Sequence, residues 1–114
     1  MPTRVDTHPT FRKRTRRLHR RFPSIHVDLR PLFQQLRNDE RPGQRIPHVG
    51  YTVYKVRLPN RAARRGKSGG FRVIYYAQLE DVVTLLTIYS KTEESDISAR
   101  EIQDLAREAD VARN

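Results

Sequence analysis

The apolar residues of this chain change from helical period to period two near residue 50, and that change limits the folds open to it. Before it the spacing is helical. Phe11, Leu18 and Phe22, with Thr15 filling the missing step, fall at i, i+4, i+7 and i+11 on one helix face. Arg12, Lys13, Arg16, Arg17, Arg20 and Arg21 take the remaining faces. Pro23-Ser24 ends this helix, because the residue before a proline avoids helical geometry. Leu29, Leu32, Phe33 and Leu36 give a second amphipathic stripe. Pro31 is tolerable there only in a first turn, which predicts Asp28 as the N-cap. A short link makes the two an antiparallel pair, and residues 38–47, with Pro42-Gly43 inside, read as a loop.

After the loop the period is two. Residues 51–58 are rich in β-branched and aromatic types, with Tyr54, Val56 and Leu58 on one face and Val53, Lys55 and Arg57 on the other. Residues 59–70 form a long, basic, glycine-containing connection. Residues 71–76 and 82–89 are apolar on both faces, which predicts strands in the middle of a sheet, joined by a Glu80-Asp81 turn. Ser98 followed by Glu101 has the form of a capping box, and Ile97 with Ile102 can close a hydrophobic staple. Ile102, Leu105, Ala106 and Ala109 then face the sheet. With a short strand near residues 3–7, the expectation is one α+β domain over residues 1–114. It holds a small antiparallel sheet of three or four strands, an N-terminal helix pair and a C-terminal helix, with the helices on one face.

Composition narrows the chemistry. At 114 residues there is room for one core. The absence of cysteine excludes a disulfide framework, a thiolate nucleophile and a cysteine zinc site. No apolar run spans a bilayer and the start opens no secretory signal, so a cytoplasmic protein is expected. The arginine-rich opening imitates a mitochondrial transit peptide, but its arginines sit on a helix with its own core face. The net charge of +10 is uneven: residues 1–45 carry +8, residues 46–78 carry +7 without a single acid, and residues 79–114 carry −5. A basic body with an acidic last third points to a polyanion partner, nucleic acid first.

Several motifs fail. Gly66-Lys67-Ser68 resembles the end of a phosphate-binding loop, but Arg61 stands where its first glycine belongs and the stretch leads into a strand. His8, His19, His26 and His48 show no metal-binding spacing, and Ser68 has no partner at hydrolase spacing. What survives is a cationic sheet face: Lys55 and Arg57 on one strand, Arg72 on the next, and Lys91 after the third with Tyr89. Such a face can bind a phosphate backbone without chemistry. It can equally serve a metal-free cut in which the RNA 2′-hydroxyl attacks, given groups that move protons and stabilise phosphate charge.

The run Tyr54-Lys55-Val56-Arg57-Leu58, then Lys67-Ser68-Gly69-Gly70-Phe71-Arg72-Val73-Ile74-Tyr75-Tyr76, then Ile88-Tyr89-Ser90-Lys91, resembles the core of RelE/ParE-superfamily toxins, closest to the HigB/RelE-like branch. Ser95-Asp96-Ile97-Ser98 leading into a last helix, and Phe22-Pro23-Ser24 between the first two, extend the likeness over nearly the whole chain. The resemblance implies a ribosome-dependent mRNA endoribonuclease that uses no metal or cofactor and is held inactive by a cognate antitoxin encoded beside it. It implies catalytic roles for Lys55, Arg57, Arg72, which would contact the scissile phosphate, and Lys91. RNA docking then falls to Arg12, Arg16 and Arg20 of the first helix, to Arg61, Arg64, Arg65 and Lys67 of the loop, and to Tyr89. Thr92 and Ser98 depart from the RelE pattern, standing where an arginine and a tyrosine are expected. The departures leave open a gyrase-inhibiting toxin of ParE type, which needs no catalytic set, and a non-catalytic RNA- or ribosome-binding module.

Overall fold

The computed structural model describes residues 2–79, 81–94 and 96–113. Its elements follow in the order β1 (Arg4–Thr7), α1 (Pro9–Arg21), α2 (Ile25–Arg37), β2 (Gln44–Ile46), β3 (Val53–Leu58), β4 (Phe71–Leu79), β5 (Val82–Ser90) and α3 (Ala99–Arg113). Five strands form one sheet in the order β1-β5-β4-β3-β2. β3, β4 and β5 are the expected antiparallel meander, with β4 and β5 inside the sheet as their two-sided apolar pattern requires. β1 pairs parallel with β5, at the position read from the sequence. β2 lies inside the stretch expected to be loop and pairs antiparallel with β3. Three residues between Pro42-Gly43 and Pro47 are too few to show a period, so nothing in the pattern marked this edge strand. Of the expected 80–81 turn, Glu80 lies outside the described residues, as does Ser95.

The helices do not share one face, as the sequence had suggested. α1 and α2 pack Phe11, Leu18, Leu29, Leu32 and Leu36 against Val56, Leu58, Val73, Tyr75 and Leu85. α3 packs Ile102, Leu105, Ala106 and Ala109 on the opposite face, against Val53, Ile74, Tyr76 and Leu86. The two-sided apolarity of β4 and β5 carries this consequence: two apolar faces need two covers.

The N-cap expectation at Asp28 also fails. α2 begins at Ile25, one residue past Ser24, and carries Pro31 in its interior. Val27, whose carbonyl loses its partner to that proline, is itself solvent-exposed, so water can take the acceptor. α1 begins one residue past His8, whose Nδ1 accepts from the Thr10 amide at 2.9 Å. At α3 the expected cap is present, with Ser98 Oγ accepting from the Glu101 amide at 3.1 Å.

Candidate active site at the end of the sheet

Strand register builds the site. On β3, Lys55 and Arg57 are two residues apart and share the α3 side of the sheet with Val53. Arg57 stands opposite Arg72 on β4, and Arg72 opposite Tyr89 on β5, so three side chains form one row across three strands. Lys55 stands one step inward, opposite Ile74. Lys91 follows β5 and is tied to the same end by its amide, which donates to the Gly70 carbonyl at 2.9 Å. The sequence-expected set Lys55, Arg57, Arg72 and Lys91 is thus gathered at one end of the sheet.

The members differ in exposure. Arg57 and Lys91 are exposed and Lys55 is half-buried. Arg72 is 5% exposed, and its guanidinium turns under the loop that follows β3. It donates to the carbonyls of Lys67 at 2.8 Å, Ser68 at 2.9 Å and Phe71 at 3.3 Å. Burial, and then the charge of Arg57, lower its pKa from the ordinary arginine value. Facing Arg57, Arg72 therefore serves as a cationic floor whose hydrogen bonds shape the loop.

Tyr89 is 2% exposed, its ring packed with the α3 cluster, so it offers no open stacking surface. Its hydroxyl donates to Asp96 Oδ1 at 2.9 Å. Burial, and then Asp96, push its pKa well above the ordinary tyrosine value, which makes it a neutral donor near pH 7. Asp96 lies on the approach to α3, two residues before Ser98. Its Oδ1 accepts from the Ile97 amide at 2.9 Å, the main cause that holds this carboxyl below its ordinary range, and it also lies 3.6 Å from Lys55 Nζ. Asp96 thereby joins β3, β5 and the start of α3.

The two residues that depart from the RelE pattern have local partners: Thr92 Oγ1 meets Ser90 Oγ at 3.1 Å, and Ser98 caps α3. Among the docking candidates, Arg64, Arg65 and Lys67 are exposed on the loop. Arg61 is anchored to Asp28, Nη1 to Oδ1 at 2.6 Å. Arg16 and Arg20 are exposed on α1, and Arg12 bonds back to Thr7, its Nη1 reaching Oγ1 at 2.8 Å. α1 covers the sheet face opposite the Lys55 row, so these arginines form a separate basic surface. Asp28 was a residue the sequence misplaced. An acid inside the apolar stripe of α2 was the available signal, since unpaired acids are almost never buried.

Outside this site, a cavity of about 760 Å³ lies between β1 and the last turns of α3, where His8 Nε2 meets Glu108 at 2.9 Å. Among the described residues no three histidine or acidic side chains gather as a metal site, and no helix is long and apolar enough to cross a membrane.

The chain is thus a small α+β domain built on one five-stranded sheet, with Lys55, Arg57, Arg72 and Lys91 at one end of it. The model for the RelE toxin of the RelE/RelB toxin–antitoxin system matches residues 14–113, and the chain belongs to that family. No curated protein matches the chain. Membership makes it the toxin member of a toxin–antitoxin pair and implies a cognate antitoxin as partner.

Proposed function

We propose that this toxin is a ribosome-dependent mRNA endoribonuclease that stops translation, cutting without a metal through the substrate's own 2′-hydroxyl. The observation that carries this reading is the Arg57–Arg72–Tyr89 row with Lys55 beside it. The 2′-oxygen forms a bond to the adjacent phosphorus while the bond from phosphorus to the 5′-oxygen breaks. The products are a 2′,3′-cyclic phosphate and a free 5′-hydroxyl. One proton leaves the 2′-hydroxyl and one reaches the departing 5′-oxygen. Arg57 and Lys91, exposed, are the groups for the phosphate's developing charge, with Arg72 beneath them. Lys55, ordered by Asp96, is the group for proton transfer. The exposed arginines of α1 and of the loop dock ribosomal RNA, and the antitoxin, probed first as a helix-turn-helix protein encoded next door, holds the toxin inactive in the cytoplasm.

Primer extension on mRNA in a translating extract tests this. Cuts within codons are expected with the wild-type chain, lost in Arg57→Ala and in Arg72→Ala. Intact mRNA at a stoichiometry of one toxin per ribosome would sink the reading.

Two observations favour a second reading. Arg72 is turned into loop carbonyls, and Lys55 faces a carboxylate, which suits a toxin that acts by binding alone, on gyrase or on the ribosome. That reading expects gyrase-dependent DNA breaks, or stalled ribosomes, with mRNA uncut.

A further inference from the structure

We propose that Asp28 is a positioning residue for nucleic-acid docking: from α2 it latches the basic loop of residues 60–67 in one conformation. The inference rests on the RNA reading above. Asp28 is 1% exposed, set among Ile25, Leu29 and Leu32. Both of its oxygens go to one residue of the loop: Oδ1 takes Arg61 Nη1 at 2.6 Å and Oδ2 takes the Arg61 amide at 3.2 Å. Side chain and main chain of Arg61 are thereby fixed together.

The rest of the loop is closed from within. Asn60, itself buried, exchanges two main-chain hydrogen bonds with Arg65, each 2.9 Å, and its Oδ1 accepts from the Ala63 amide at 3.2 Å. The Arg64 amide donates to the Arg61 carbonyl at 3.0 Å, with Arg64 in the left-handed region at φ 55°. Beyond the turn, Arg72 holds the Lys67 and Ser68 carbonyls. Three buried polar side chains, Asp28 on α2, Asn60 in the loop itself and Arg72 on β4, therefore pin a connection whose composition reads as flexible.

What the pinned loop presents is cationic. Arg64, Arg65 and Lys67 are exposed, and among the described residues none is in an ion pair. By contrast, Arg14 and Arg21 of α1 are paired with Glu94 and Glu93. An acid within an apolar stripe is a poor choice for stability, since a well-packed apolar residue commonly does as well as or better than a buried ion pair. Its gain here is a phosphate-binding surface ordered before the ligand arrives, which removes ordering entropy from the cost of association.

The test uses the full chain with Asp28→Ala and the isosteric Asp28→Asn, which keeps a single acceptor oxygen. Thermal melts first select the variant that remains folded. Amide exchange at Arg61 then reads the latch, and anisotropy of a fluorescein-labelled single-stranded RNA, over a salt series, reads docking. Faster exchange at Arg61 is expected, with a several-fold rise in Kd and an unchanged salt slope, because the same cations still meet phosphate. The triple variant Arg64→Ala, Arg65→Ala, Lys67→Ala lowers the slope instead. In the ribosome assay KM rises and kcat holds. Unchanged RNA affinity in a variant whose Arg61 amide has opened would overturn the positioning role alone. A wild-type chain without affinity for RNA would overturn the RNA reading and this inference with it.

Discussion

Arg57 and Arg72 face one another across β3 and β4 yet occupy opposite environments, and their substitution should separate chemistry from architecture. Arg57 is exposed, so Arg57→Ala should leave stability within about 0.5 kcal/mol while abolishing cleavage. Arg72 donates to three carbonyls from a buried position, and Arg72→Lys, with a single ammonium point, should cost about 1–3 kcal/mol. Urea denaturation beside primer extension checks both, and equal stability losses would contradict the assignment. Asp96 adds a pH signature. Its folded pKa is depressed, so the stability it contributes is complete above its unfolded value near 4 and is lost as pH falls through the folded value. The stability difference between wild type and Asp96→Asn should therefore shrink on acidification below about pH 4. Melting curves that differ equally at about pH 6 and about pH 2.5 would refute a held carboxylate. The period-two pattern showed which of these side chains share a face, because alternation depends only on neighbours in the chain. It could not show that the Arg72 fork turns inward, since that depends on a loop folding back over β4.

At the scale of elements, the junction of β3 and β4 depends on Gly70. A Cβ there would lie 1.9 Å from the Leu58 carbonyl oxygen and 2.9 Å from Pro59 backbone atoms. No side-chain rotation relieves a clash with backbone, so Gly70→Ala must spread the strands that align Arg57 with Arg72. We expect a loss of about 1–3 kcal/mol together with loss of cleavage, measured by denaturation and primer extension. An alanine variant as stable as wild type would show that the strands yield freely. The helices and the meander were legible because their periods run over many residues. The start of α2 was not, because the proline rule forbids a lost hydrogen bond only where water cannot replace it, and Pro31 itself lies on the exposed side. The placement of α3 on the second face was legible in the two-sided strands, but it required asking what covers each face rather than how many helices exist.

At the scale of the whole molecule, the +10 charge resolves into two surfaces on opposite sides of the sheet rather than one field. The acidic last third is partly consumed within the fold, with Glu93 and Glu94 neutralising Arg21 and Arg14. That leaves Arg12, Lys13, Arg16, Arg17 and Arg20 on α1 outside any ion pair among the described residues, across the sheet from Lys55 and Arg57. A flat polyanion cannot touch both surfaces at once, so the proposed endoribonuclease would meet one segment of RNA with α1 and cut another. Arg16→Ala with Arg20→Ala should then weaken ribosome engagement and reduce the salt slope of binding by about 0.7–0.9 for each phosphate no longer neutralised. The positions of the cuts that remain should be unchanged, since the Lys55 row is untouched. Binding over a series of potassium concentrations and a primer-extension ladder read the two halves of this prediction separately. A shifted ladder would mean that α1 takes part in placing the scissile bond, and that the two basic surfaces grip one continuous strand around the end of the sheet.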